Sequence, residues 1–146
     1  MRIFTIGYEG MTVGEFIAEL QQAGVERVID VRAVPLSRKP GFSKNVLKAG
    51  LAEAKIDYVH LKPLGTPADG RAAARAGKQS ELERIYAAQL DLPEAIVAAQ
   101  QMLELAEAKP SALLCFERDP LACHRSLLLA AVASDADIVH LFPSDA

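Results

Sequence analysis

Tryptophan is missing from this chain, and cysteine nearly so, with only Cys115 and Cys123 among 146 residues. A small secreted scaffold needs more pairs than that, so the sequence implies no disulfide framework and leaves the two cysteines a chemical or a packing role. Long apolar runs are lacking too. None approaches the roughly 20 residues of a membrane-spanning helix, and the start, Met1-Arg2-Ile3-Phe4-Thr5, leads straight into strand-like sequence. The expectation is a cytoplasmic protein without membrane partners. Nor is there an excess of basic charge. With 16 Lys and Arg against 19 Asp and Glu the net charge is -3, which argues against bulk electrostatic binding to nucleic acid but allows a local basic patch. A glycine-rich phosphate loop of the dinucleotide or P-loop type is absent, since Gly7 and Gly10 lack the third glycine and the lysine. The sequence leaves the cofactor, if one is used, unknown. What is present is an ordinary globular composition, 51% hydrophobic and 24% charged, which excludes disorder and collagen. The length suits one domain spanning 1–146.

Residues 2–6 form a branched apolar run closed by Gly7, and Thr12 with Glu15 makes a capping box before Val13, Phe16, Ile17 and Leu20 repeat at helical spacing. The same alternation recurs, with strands expected at 27–31, 56–61, 112–116 and 137–142 and helices at 43–55, 81–90, 93–108 and 123–133. Apolar strands alternating with helices predict a three-layer α/β domain around a mainly parallel five-stranded sheet. Residues 63–80 stand apart. They carry Gly65, Pro67, Gly70 and Gly77 without apolar periodicity, the pattern of a structureless lid, binding loop or tolerated insertion, and a candidate mobile loop.

Ligands of open α/β sheets bind beyond the carboxyl ends of the strands. The residues there are polar and reactive: Tyr8 and Glu9 after the first strand; Asp30, Arg32, Arg38 and Phe42 after the second; His60 and Leu64-Gly65-Thr66-Pro67 after the third; Cys115 and Glu117, then Cys123-His124-Arg125, after the fourth. These residues also carry a resemblance. Thr5-Ile6-Gly7-Tyr8-Glu9-Gly10, Ile29-Asp30-Val31-Arg32 with Pro35, Ser37-Arg38 and Pro40-Gly41-Phe42, Leu64-Gly65, Leu114-Cys115-Phe116-Glu117 and Cys123-His124-Arg125 together resemble the domain-of-unknown-function family numbered 488. The resemblance implies a compact intracellular domain, bacterial or archaeal, whose signature polar residues are these. It implies no activity. Gly65-Thr66 departs from an expected glycine pair.

Cys123 opens a helix, where unpaired N–H groups and nearby arginines acidify a thiol, so it is a candidate nucleophile. His124, its helical neighbour, is expected to point about 100° away and to be a poor base for it, leaving His60 or Glu9 better placed. Cys115 is the second candidate, at a strand end as in phosphatases and rhodanese-like sulfurtransferases, but a phosphatase loop needs arginine six residues on, and that residue is Leu121. A zinc set of Cys115, Cys123, His124 and His60 has suitable donors and unsuitable spacing, so only a tertiary site is open to it and none is assigned. From Arg32 to Lys48 there are five basic residues and no acidic one. Arg32, Arg38 and Arg125 are candidate phosphate ligands, with Tyr8 and Phe42 as a stacking face and His124 beside them; a structural pair of Arg32 with Asp30 is the competing reading. Asp30, Glu9, Glu117 and His60 are candidate acids and bases. The sequence thus points to an enzyme acting on a phosphate-bearing small molecule or nucleic-acid end, or alternatively to a noncatalytic binding module whose cysteines only pack.

Overall fold

The structure is a computed structural model that describes residues 1–142. Five strands, β1 (Arg2–Gly7), β2 (Arg27–Asp30), β3 (Asp57–His60), β4 (Ser111–Cys115) and β5 (Asp137–Leu141), alternate with helices α1 (Val13–Gln22), α2 (Lys44–Glu53), α3 (Ala68–Arg75), α4 (Gln79–Leu90), α5 (Pro93–Ala108) and α6 (His124–Val132). All strand pairs are parallel, and the order across the sheet is β3-β2-β4-β1-β5. The expected parallel α/β architecture is therefore present.

Strand side chains alternate between two cores, as the two-residue period requires. Phe4, Ile6, Val28, Ala112 and Leu114 meet Phe16, Leu20, Leu47 and Leu51 of α1 and α2 on one face. Ile3, Ile29 and Leu113 meet Tyr86, Met102, Leu128 and Leu129 of α4, α5 and α6 on the other. Local signals fix where the helices begin: Thr12 and Glu15 form the reciprocal capping box of α1, with bonds of 3.1 and 2.8 Å.

This topology creates a crevice. β1 and β4 are neighbours, yet β1 leads to α1 on one face while β4 leads to α6 on the other. Chains that leave adjacent strand ends in opposite directions part above the sheet, which is the switch point where α/β domains bind ligands. Gly7 and Cys115 are register partners at that point.

Residues 63–80 are not structureless. A 3-10 turn at Lys62–Leu64 leads into α3, and α4 begins at Gln79. The apolar stripe of α3 consists of small residues, the buried Gly70 and Ala73, so hydrophobic periodicity does not reveal it, while its alanines supply helix propensity. Gly70 permits close packing, because a Cβ there would lie 2.6 Å from Thr66 and 3.2 Å from Ile85 of α4.

Candidate active site

The Asp30–Arg32 pair lies under the carboxyl edge of the sheet. Arg32 Nε and Nη2 donate to the two carboxylate oxygens of the fully buried Asp30 at 2.9 and 2.8 Å, and Nη1 donates to the Phe42 carbonyl at 2.8 Å. Burial opposes the charge on Arg32, but the hydrogen bonds and attraction of Asp30 outweigh it and raise the guanidinium above its ordinary range. Tyr58 also donates to Asp30. The carboxylate is thereby saturated, and the pair forms the floor of the site. Phe42 is equally structural in position, 0% exposed and stacked beneath Tyr8 with ring centroids 4.4 Å apart.

Above this floor a cavity of about 520 Å³ is lined by Tyr8, Arg32, Cys115, Phe116, Glu117 and His124 from the sheet edge. Val34, Leu36, Thr66, Leu82 and the α3 residues Arg71, Ala74 and Arg75 complete the wall. Of the sequence candidates, five therefore line one cavity, and Cys123 and Arg125 stand directly behind Cys115. The others lie elsewhere. Glu9 is exposed and accepts from the Arg118 N–H at 3.0 Å; Arg38 is exposed outside the lining; His60 donates from Nε2 to the Arg32 carbonyl at 2.7 Å. Sequence reasoning missed Arg71 and Arg75. Their spacing of four residues in an alanine-rich stretch was the available signal, since it puts both on one helix face.

Cys115 and Cys123 are joined by a disulfide, which corrects the expectation of two independent thiols. The reason is tertiary: the segment after β4 folds back so that the start of α6 stands against the strand end. Arg125 is 0% exposed, and its Nη1 donates to Cys115 Sγ at 3.1 Å and to the Glu117 carbonyl at 2.9 Å, while Nη2 donates to the Arg118 carbonyl at 3.0 Å. Its Nε is buried without a partner. Burial pulls the guanidinium down to about 10 against the opposing charges of Glu117 and Asp119. Leu121, in the position a phosphatase-type arginine would occupy, is 78% exposed; the cation beside Cys115 comes from α6 instead.

His124 also differs from expectation. Cys123 is the N-cap of α6, with extended backbone at φ -124° and ψ 150°, so helical neighbour geometry does not govern the pair. His124 Nδ1 lies 3.7 Å from Cys123 Sγ, and Nε2 lies 2.8 Å from the Val31 carbonyl. A carbonyl only accepts, so Nε2 carries the proton and Nδ1 presents its lone pair to the sulfur. Burial depresses the imidazole to about 4, despite the Val31 bond that favours the charged form. Burial likewise pushes the Glu117 carboxyl up, against its own backbone bond and the Arg125 charge. Gly7 makes this packing possible. A Cβ there would meet the Glu117 carbonyl oxygen at 1.7 Å and Arg125 Nη1 at 2.6 Å.

For metal donors, the ligand atoms of Cys115, Glu117 and Cys123 all lie within 4.8 Å of one another, while His60 bonds to backbone elsewhere. Among the described residues no helix is long and apolar enough to cross a membrane. The family model described as domain of unknown function DUF488 matches residues 12–132. Comparisons with the curated proteins and with the solved structures each return no match.

Proposed function

We propose that this chain, which belongs to the DUF488 family, is a thiol-dependent enzyme that holds a phosphate-bearing substrate over the switch-point crevice and reacts with it at Cys115. The observation that carries the reading is the buried Arg125, which forms no ion pair with a carboxylate among the described residues and donates instead to Cys115 Sγ. A desolvated cation without a carboxylate is costly unless another anion balances it, and a thiolate on Cys115 is that anion in the reduced protein. Arg71 and Arg75 give the cavity wall a positive face suited to phosphate. Tyr8, Leu36, Leu82 and Phe116 give it apolar surface for the rest of a nucleotide-sized molecule. Glu117, whose carboxyl burial pushes up, lines the same cavity and serves as a proton donor.

The disulfide itself favours a second reading, a noncatalytic phosphate-binding module in which the cysteines are structural. Titrating the reduced protein with nucleoside monophosphates, and assaying turnover on a panel of phosphate esters before and after thiol alkylation, separates the two. Binding that weakens in Arg75→Ala, together with turnover abolished by alkylation, fits the enzyme. Binding indifferent to alkylation without turnover fits the module, and absence of any binding overturns both.

A further inference from the structure

The two sulfurs occupy unequal positions, and this asymmetry extends the proposed chemistry. Cys115 lines the cavity whereas Cys123 does not. Each has its own partner: Cys115 Sγ receives the Arg125 guanidinium at 3.1 Å, and Cys123 Sγ has His124 Nδ1 at 3.7 Å and the Arg125 backbone N–H at 3.5 Å. Cys115 is also only 1% exposed, so the atom that reaches it must be slim, as the terminal oxygen of a hydroperoxide is.

We infer that the site is a two-thiol peroxidase centre, in which Cys115 attacks an organic hydroperoxide and Cys123 resolves the product by forming the Cys115–Cys123 disulfide. In the first step the Cys115 thiolate attacks the terminal oxygen of the hydroperoxide. The S–O bond forms as the O–O bond breaks, the leaving alkoxide takes from water the proton that the Cys115 thiol released to water on ionising and becomes an alcohol, and Cys115 is oxidised to the sulfenic acid. In the second step the Cys123 thiol, held 3.7 Å from His124 Nδ1, attacks Cys115 Sγ and passes its proton to the departing oxygen. The S–S bond forms as the S–O bond breaks, and hydroxide leaves with that proton as water. Two thiols are thus oxidised for each hydroperoxide reduced to alcohol and water. An external thiol, small or protein-borne, returns the disulfide to the dithiol by exchange. The apolar wall of Val34, Leu36, Leu82 and Phe116 favours a hydroperoxide with an organic tail over hydrogen peroxide. The inference rests on the role proposed above for Cys115 as attacking sulfur; it does not need the anion-binding wall.

The test uses the full chain, reduced with dithiothreitol and desalted, then mixed with cumene hydroperoxide and separately with hydrogen peroxide. The expected result is loss of two hydrogen atoms by intact mass, mapped to the Cys115–Cys123 pair, at a rate about a hundredfold above that of a free thiol and faster with the organic hydroperoxide. In Cys123→Ser a sulfenic acid trappable by dimedone accumulates on Cys115, and in Cys115→Ser the hydroperoxide is not consumed. Oxidation of the wild-type dithiol no faster than a free thiol overturns the inference, whatever the variants do. So does a first oxygen found on Cys123, or Zn²⁺ held by the reduced protein with both thiols protected, which would make Cys115, Glu117 and Cys123 a ligand set. Because cumene hydroperoxide carries no charge, failure of phosphate binding leaves this result untouched, and failure here leaves phosphate binding to be judged by its own titration.

Discussion

Arg125 Nη1 lies 3.1 Å from Cys115 Sγ although ten positions separate the two residues, and the guanidinium is wholly buried. The contact ties the first turn of α6 to the end of β4, and it sets the chemistry expected of the reduced site. A cation desolvated with the protein stabilises a thiolate far more than an exposed arginine does. Replacing Arg125 with Gln is expected to slow iodoacetamide alkylation of Cys115 in the reduced protein by about tenfold at neutral pH. Peptide mapping of the alkylated cysteine checks it, and an unchanged Cys115 rate would remove Arg125 from the reaction.

His124 gives the fold a pH dependence. Its native value of about 4 lies below the ordinary 6.5, so between these values the unfolded chain binds a proton that the native state does not. The neutral imidazole contributes its full share of stability above pH 6.5, and that share is lost as pH falls toward 4, with a total of about 3 kcal/mol. Urea unfolding across this range should show the decline, and in His124→Gln the decline should be shallower.

Asp30 and Arg32 form a buried pair in which each satisfies the other. Asp30→Ala leaves the guanidinium buried without its counter-charge and is expected to cost about 3 to 5 kcal/mol, read as a lower urea midpoint. Removing both in Asp30→Ala with Arg32→Met should cost less than Asp30→Ala alone. A single variant as stable as the wild type would show that the pair is not what holds the floor of the site.

Gly7→Ala inserts a methyl where the Glu117 carbonyl already sits, 1.7 Å from the ideal Cβ. The loop after β4 must then shift. An overpacking cost of about 1 to 3 kcal/mol is expected, together with slower disulfide formation between Cys115 and Cys123, because the Glu117 carbonyl also orients Arg125. Normal kinetics in a stable Gly7→Ala protein would contradict this account of the loop.

Helix α3 buries only Gly70 and Ala73, a thin apolar contact for eight residues. Its amides are expected to exchange with solvent faster than those of β1, β2 and β4. Exchange measured by mass spectrometry tests this, and protection equal to that of the strands would show that the Arg71 and Arg75 wall of the cavity is fixed.

The sheet was legible in the sequence because its evidence is local. Continuous apolar runs such as 112–116, helical spacing from Val13 to Leu20 and the Thr12–Glu15 cap each belong to one element and its immediate neighbours. The same local reading placed Tyr8, Arg32, Cys115 and Glu117 at strand ends and His124 at the helix start that follows, and they do line one cavity. α3 escaped it because alanine and glycine form a buried face without a hydrophobic signature.

What only the tertiary structure decided are the pairings. Joining Cys115 to Cys123, supplying the cation from Arg125 and not from position 121, turning His124 Nδ1 toward Cys123, and burying Asp30 and Phe42 beneath Arg32 and Tyr8 all depend on strand order and on the path of the loop after β4. Those are distances between segments far apart in the chain or across an irregular turn. No periodicity within one segment encodes them, whereas the packing of two helical layers on a twisted parallel sheet fixes them together.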